Sequence, residues 1–178
     1  MYRFSLACAA ALAAWTVPAH AGEVFAGAYV HGVDTPFTLD TPESGTDVEL
    51  GYRFDPIEGL RAIGKPSPYL FASVNTGGDT SFAGAGLAWK VEKGRFYIRP
   101  GIGFVVQDGP RSRIDPLSGK HTELGSRVLF EPELALGTKL SEQLSVEASW
   151  VHISHARLFN ARQNPGVDMM GVRLNWRL

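Results

Sequence analysis

A histidine, a serine and an acid stand near the ends of the last two apolar stretches of this chain: His152 and Ser154 in one, Asp168 in the next. A serine hydroxyl is a weak nucleophile until a base removes its proton, and histidine does so at neutral pH. An acid beside the imidazole fixes its orientation and steadies the imidazolium. Alternate side chains of a β-strand share a face, so His-x-Ser puts base and nucleophile on one side, about 7 Å apart by strand rise. These residue types at this spacing can build a hydrolytic serine site. The bland alternative is three ordinary polar side chains where strands meet water.

Two long alternating stretches set those positions. Leu144, Val146, Ala148 and Trp150 share a parity that His152 and Ser154 continue. In the closing stretch Asp168 shares its parity with Met170, Val172, Leu174, Trp176 and Leu178. Together with six earlier stretches they give expected strands over 23–31, 47–55, 69–76, 81–91, 95–107, 127–140, 143–155 and 167–178. Lengths of about nine to fourteen residues suit tilted membrane strands.

One face of these stretches is apolar, as with Val48, Leu50, Tyr52 and Phe54. The other carries glycines and charges of both signs: Glu49, Glu131, Glu133 and Glu147 against Arg53, Arg99 and Arg173. A narrow lumen needs such pairing, because an unpaired buried charge is expensive. Phe54, Tyr69, Trp89, Phe96, Trp150 and Trp176 fall near strand ends, where an interfacial aromatic girdle belongs. The pattern predicts an all-β fold, an eight-stranded antiparallel transmembrane β-barrel with its apolar side chains outward. The competing arrangement is a soluble periplasmic sandwich or binding barrel whose charged face meets water.

Tight connections at Glu92-Lys93-Gly94 and near Ser141-Glu142 alternate with longer ones at 32–46, 108–126 and 156–166. Short turns mark the periplasmic end of such a barrel and long loops the outer end. Two connections depart from this rule: 56–68 is long at the periplasmic end, and Thr76-Gly77-Gly78-Asp79 is short at the outer one. Counted from a periplasmic start, the seventh strand runs outward and the eighth returns. His152, Ser154 and Asp168 then meet at the depth of the outer leaflet, facing lipid.

The first residues read as an export signal. Met1-Tyr2-Arg3 is a short basic segment, Phe4 to Val17 is apolar, and Ala19-His20-Ala21 has the small-x-small form of a cleavage site. Residues 1–21 are thus expected to be removed, taking Cys8 with them and leaving about 157 residues, one domain over 22–178. A thiol enzyme or disulfide scaffold is then excluded. No apolar run beyond the signal is long enough for a membrane helix. A net charge of −1 argues against nucleic acid as a partner.

Other candidates carry less. His152 and His155 point to opposite faces of a strand, so joint metal ligation is not expected. His31 and His121 fall on or near loops and read as incidental. Glu131 and Glu133 have arginines available and read as an ion network rather than an acid/base pair. No phosphate loop, cofactor fingerprint or zinc spacing is present, so neither a cofactor nor a metal is expected.

Trp150-Val151-His152-Ile153-Ser154-His155-Ala156, followed by Asn164-Pro165-Gly166-Val167-Asp168, resembles the C-terminal signature of the lipid A 3-O-deacylase (PagL-like) family. The resemblance is specific over about 152–174 and only architectural before that. It implies an eight-stranded outer-membrane barrel that hydrolyses the ester holding the 3-hydroxyacyl chain at the 3-position of lipid A, without a metal. Carried over, Ser154 is the nucleophile, His152 the general base and Asp168 the orienting acid. The family acid is usually Glu, so the shorter Asp168 must come closer to the imidazole. The loop between Ser154 and Asp168 is about two residues longer than in the best-known form. His155 stands where Asn is common, and that Asn is implicated in oxyanion stabilisation. Backbone amides or another donor must then serve.

The expectation is therefore an outer-membrane serine esterase of a Gram-negative bacterium. Its substrate is lipid A or lipopolysaccharide, its surroundings are outer-membrane lipid, and homodimerisation is left open. The rival is a non-catalytic small barrel, structural or degenerate.

Overall fold

The computed structural model describes residues 22–38, 41, 43–109, 124, 126–156 and 166–178. Strands β1 (Glu23–His31), β2 (Thr46–Arg53), β3 (Ser67–Asn75) and β4 (Phe82–Ala88) follow one another as antiparallel neighbours. The short β5 (Val91–Lys93) resumes β4 after a break at Trp89-Lys90, and both segments pair with β6 (Phe96–Gln107). Then come β7 (Val128–Lys139), β8 (Leu144–Ser154) and β9 (Gly166–Arg177). β9 pairs with β1 from Glu23↔Arg177 to His31↔Met169, which closes an eight-stranded antiparallel barrel. Closure leaves no free edge, the condition for a sheet to cross lipid.

The alternation places side chains as charge and hydropathy dictate. Val48, Leu50, Leu70, Ile102, Phe104, Leu136, Val172 and Leu174 are exposed on the outer wall. An apolar belt of that extent is stable only against hydrocarbon. From Leu144 to Ser154 the outward stripe covers about 33 Å of strand. With barrel tilt, that approximates the apolar thickness of about 25 Å.

The inward parity carries the ions. Arg173 Nε donates to Glu147 Oε2 at 2.8 Å, and its Nη1 reaches Glu133 Oε2 at 3.0 Å and Glu49 Oε1 at 3.4 Å. Arg99 Nη1 lies 2.6 Å from Glu23 Oε1 and 3.1 Å from Glu147 Oε1. Arg53 pairs with the same Glu23 and lies over the Phe25 ring, 4.7 Å from its centroid. Glycines make room for the lumen aromatics: a Cβ on Gly137 would stand 2.1 Å from Tyr97 Cζ. Tyr69, expected in the outer girdle, instead points inward and donates to Glu131. Its parity is that of Phe71 and Ser73, both buried, whereas Leu70 and Val74 face out.

The two irregular connections have local causes. At the barrel end that carries His152 and Asp168, the Asn75 side-chain oxygen accepts from Gly77 N at 2.8 Å and Asp79 N at 3.1 Å, closing a short turn. At the opposite end, the long link folds into a 3₁₀ turn over Glu58–Ile63, and Trp89 Nε1 donates to Ile63 O at 2.7 Å. Lys65 and Arg61 beside Glu58 hold that carboxyl below its usual range. Trp89 thus anchors the link where β4 is interrupted.

Candidate active site

β8 and β9 pair residue by residue to the rim, and His152 stands directly opposite Asp168, Ser154 opposite Gly166. His152 Nδ1 lies 2.9 Å from Asp168 Oδ1. A carboxylate accepts only, so the imidazole carries its proton on Nδ1 and leaves Nε2 free to act as a base. Ser154 is the next outward position along β8, on the same face. The register on the other flank, Phe130↔Ser154 and Glu133↔Val151, sets Pro132 beside His152 and Phe130 beside Ser154. Proline has no N–H to give, which accounts for the gap in the β7–β8 ladder there.

Gly166 fixes where the imidazole lies. A Cβ on this residue would come 2.7 Å from His152 Cε1. The ring therefore leans along the strands, from its own row toward the row that carries Ser154. Any side chain at 166 would occupy its place.

Three donors converge on the acid. Trp150 Nε1 donates to Asp168 Oδ1 at 2.8 Å, beside the His152 contact, and Thr35 Oγ1 donates to Oδ2 at 2.6 Å. Thr35 belongs to the β1–β2 loop, which turns over the rim and lies on the outer wall. Val33 N donates to Asp168 O at 2.9 Å, and Thr35 and Thr38 exchange backbone hydrogen bonds across Pro36-Phe37. Phe37 is 69% exposed, with its ring centroid 5.4 Å from that of Trp150 and 6.2 Å from that of His152.

Of the sequence-derived site residues, His152 and Asp168 are in contact and Ser154 lies on the same face two residues along β8, with one correction to the expected surroundings. Asp168 has outward parity but does not face lipid: it is 0% exposed beneath the β1–β2 loop, and Ser154 is 5% exposed. His152 is half-buried and presents the accessible part of the cluster. An ionised carboxylate bare to hydrocarbon is costly, and the loop supplies the cover and the hydrogen bonds that keep it charged.

His31 is not incidental. Its Nδ1 lies 2.7 Å from Asp47 Oδ2 and its Nε2 2.8 Å from Glu43 Oε2, all buried at the root of the same loop. The parity of β1 gave the signal, since His31 follows Phe25 and Tyr29 on the inward face. His155 is fully buried where β8 ends, and Ala156 follows in the left-handed region at φ 51°. His121, Asn164 and Pro165 lie outside the described residues, as does the proposed signal over 1–21. Among the described residues no cluster of His, Cys, Asp and Glu could hold a metal ion. An apolar recess of about 680 Å³ between Phe96, Leu136, Val146 and Val172 lies lower on the outer wall, below the Trp150–Met170 row.

The family model for lipid A 3-O-deacylase (PagL) matches residues 47–177, which runs from the second residue of β2 to the end of β9. The chain belongs to this family. The crystal structure of the outer membrane enzyme PagL superposes with a TM-score of 0.62 at 18% identity, covering 88% of this chain and 99% of that one. Neisserial surface protein A superposes at 0.57 with 8% identity, covering 88% and 97%. A de novo designed transmembrane β-barrel reaches 0.50 with 10% identity, covering 89% and 96%. No curated protein sequence matches. At these identities the structural likeness is one of fold, and it agrees with the PagL assignment: an outer-membrane barrel of Gram-negative bacteria.

Proposed function

We propose that this PagL-family barrel is an esterase that removes the 3-O-linked acyl chain of lipid A through Ser154, His152 and Asp168. The single observation that carries the reading is the directly opposed His152–Asp168 pair at 2.9 Å, with Ser154 one outward position further on the same face.

Ser154 Oγ attacks the acyl carbonyl while His152 Nε2 takes its proton. The imidazolium that results is steadied by Asp168 and then protonates the departing sugar oxygen. Water, deprotonated by the same nitrogen, cleaves the acyl-enzyme and releases a 3-hydroxy fatty acid. With His155 where the family has Asn, a donor other than that amide side chain must meet the carbonyl oxygen. A site at the outer rim suits a substrate that is itself a membrane component, since headgroup and acyl chains arrive already at this depth. Residues 1–21 would serve as the export signal that delivers the chain.

The test is mass spectrometry of lipid A from a Gram-negative host expressing the full chain or its Ser154→Ala form. The expected outcome is loss of one 3-hydroxyacyl mass with the wild type only, while both forms insert and migrate as heat-modifiable barrels. The variant rate should fall by about 10³-fold or more. Unchanged lipid A from an inserted wild-type barrel, across hosts with differing acyl chains, would return the reading to a non-catalytic barrel.

A further inference from the structure

The β1–β2 loop does more for the site than cover it. Two donors, Trp150 Nε1 and His152 Nδ1, share the single oxygen Oδ1 of Asp168. A carboxylate held by one oxygen can still turn about its last bond, where rotamers are broad. The Thr35 hydroxyl takes the other oxygen at 2.6 Å, from a residue 133 positions earlier in the chain. Its direction is set as well, because Thr35 Oγ1 accepts from Phe37 N at 3.1 Å. With its acceptor side engaged, the hydroxyl directs its proton to Asp168.

The loop can hold this position because both its legs are pinned. His31 binds Glu43 and Asp47 at the root, and Thr80 Oγ1 donates to Glu43 Oε1 at 2.7 Å from the neighbouring turn. Gly32, at φ 72°, passes so close that a Cβ would meet Glu43 O at 1.8 Å. Further along, Val33 N is tied to Asp168 O at 2.9 Å, and the Thr35–Thr38 turn sets Phe37 against Trp150 and His152.

We propose that Thr35 is a positioning residue of the esterase site: its hydroxyl locks the Asp168 carboxylate in the orientation that holds His152 toward Ser154. The inference rests on the esterase reading given above. It makes the β1–β2 loop a working part of the catalytic apparatus, although no residue of that loop need touch the reacting atoms. A valine of the same shape at 35 would take its 2.6 Å donor from buried Oδ2 and leave the Thr38 hydroxyl as the other loop group beside the carboxylate. The carboxylate would then turn or protonate, and the imidazole would lose its fixed direction.

The experiment uses the full-length barrel in mixed micelles with lipid A, comparing wild type, Thr35→Val and Thr35→Ser. The expected result is a kcat lower by about 10- to 100-fold in Thr35→Val with KM within about twofold, and most of the rate recovered in Thr35→Ser. A second readout needs no turnover: the His152 Nδ1–H proton resonance, downfield in the wild type and in Thr35→Ser, should move upfield in Thr35→Val. A Thr35→Val barrel with wild-type kcat and an unmoved resonance would overturn the positioning role and leave the esterase intact. A wild-type barrel that never deacylates would overturn the esterase reading instead. The resonance would then decide by itself whether Thr35 orients the pair.

Discussion

The lumen and the outer rim both bury carboxylates, and they satisfy them in opposite ways. Inside, Glu49, Glu133 and Glu147 share the guanidinium of Arg173, and Glu23 lies between Arg53 and Arg99. These charges are answered by fixed charges of the other sign, while Glu131 beside them accepts from the Tyr69 hydroxyl. At the rim, Asp168 is met by a threonine hydroxyl, an indole N–H and an imidazole. Neutral donors solvate the carboxylate without cancelling it, so its negative field stays directed at His152. That is what a transient imidazolium requires. Burial of polar groups therefore does not separate a site from a scaffold in this molecule. The partners and the place together do: arginines hold the lumen carboxylates, and His31 with Glu43, Asp47 and Thr80 pins a loop, whereas the neutral donors on Asp168 leave its charge for a histidine on the same face as a serine.

Substitutions that remove charge should separate the two regions most sharply. Asp168→Asn keeps the shape but loses the charge, and one of three donors must then face an amide N–H2. Deacylation should fall by about 10⁴-fold, as for other triads that lose the acid, with the barrel still folded. The check is a rate on lipid A beside a heat-modifiability gel. A loss below tenfold would mean that the rim acid is as structural as those inside.

Arg173→Met is the converse change and should act on stability. It takes the arginine from Glu49 and Glu133 and leaves Glu147 with Arg99 alone, and removing one partner of a buried ion pair costs about 3–5 kcal/mol. Urea unfolding in detergent should report that loss, while the folded fraction deacylates at the wild-type rate. A rate that fell in the folded fraction would tie the lumen network to the chemistry and undo the distinction.

Much of this was legible in the residues because a strand has a period of two. Parity separated Arg53, Arg99 and Arg173 from Leu50, Ile98 and Val172, and it set His152, Ser154 and Asp168 on one face. Parity was also sufficient where the reading went astray: Tyr69 follows the inward series of Phe71 and Ser73, and His31 that of Phe25 and Tyr29. Their position near strand ends suggested otherwise. The cover over Asp168 is a different matter. Thr35-Pro36-Phe37-Thr38 has the composition of any turn, and loops have no period to follow. Its contact with Asp168 depends on β1 and β9 closing the barrel, which joins the two ends of the chain. A long-range closure of this kind leaves no mark in local sequence.

Gly166→Ala probes the rim alone and should give the smallest of these effects. The added methyl falls 2.7 Å from His152 Cε1, 3.0 Å from Ile153 O and 3.1 Å from Thr38 Oγ1. Backbone and loop are both fixed, so the imidazole is the group that can give way. A displacement of a few tenths of an ångström in a general base costs about 10- to 100-fold in kcat, and an outward position at a strand end adds little to folding energy. Single-turnover rates on lipid A should fall accordingly, with the unfolding midpoint close to wild type. A midpoint shift as large as that of Arg173→Met would instead show that Gly166 is needed for the loop to seat. An unchanged rate would mean that the ring works from some other direction than the row of Ser154.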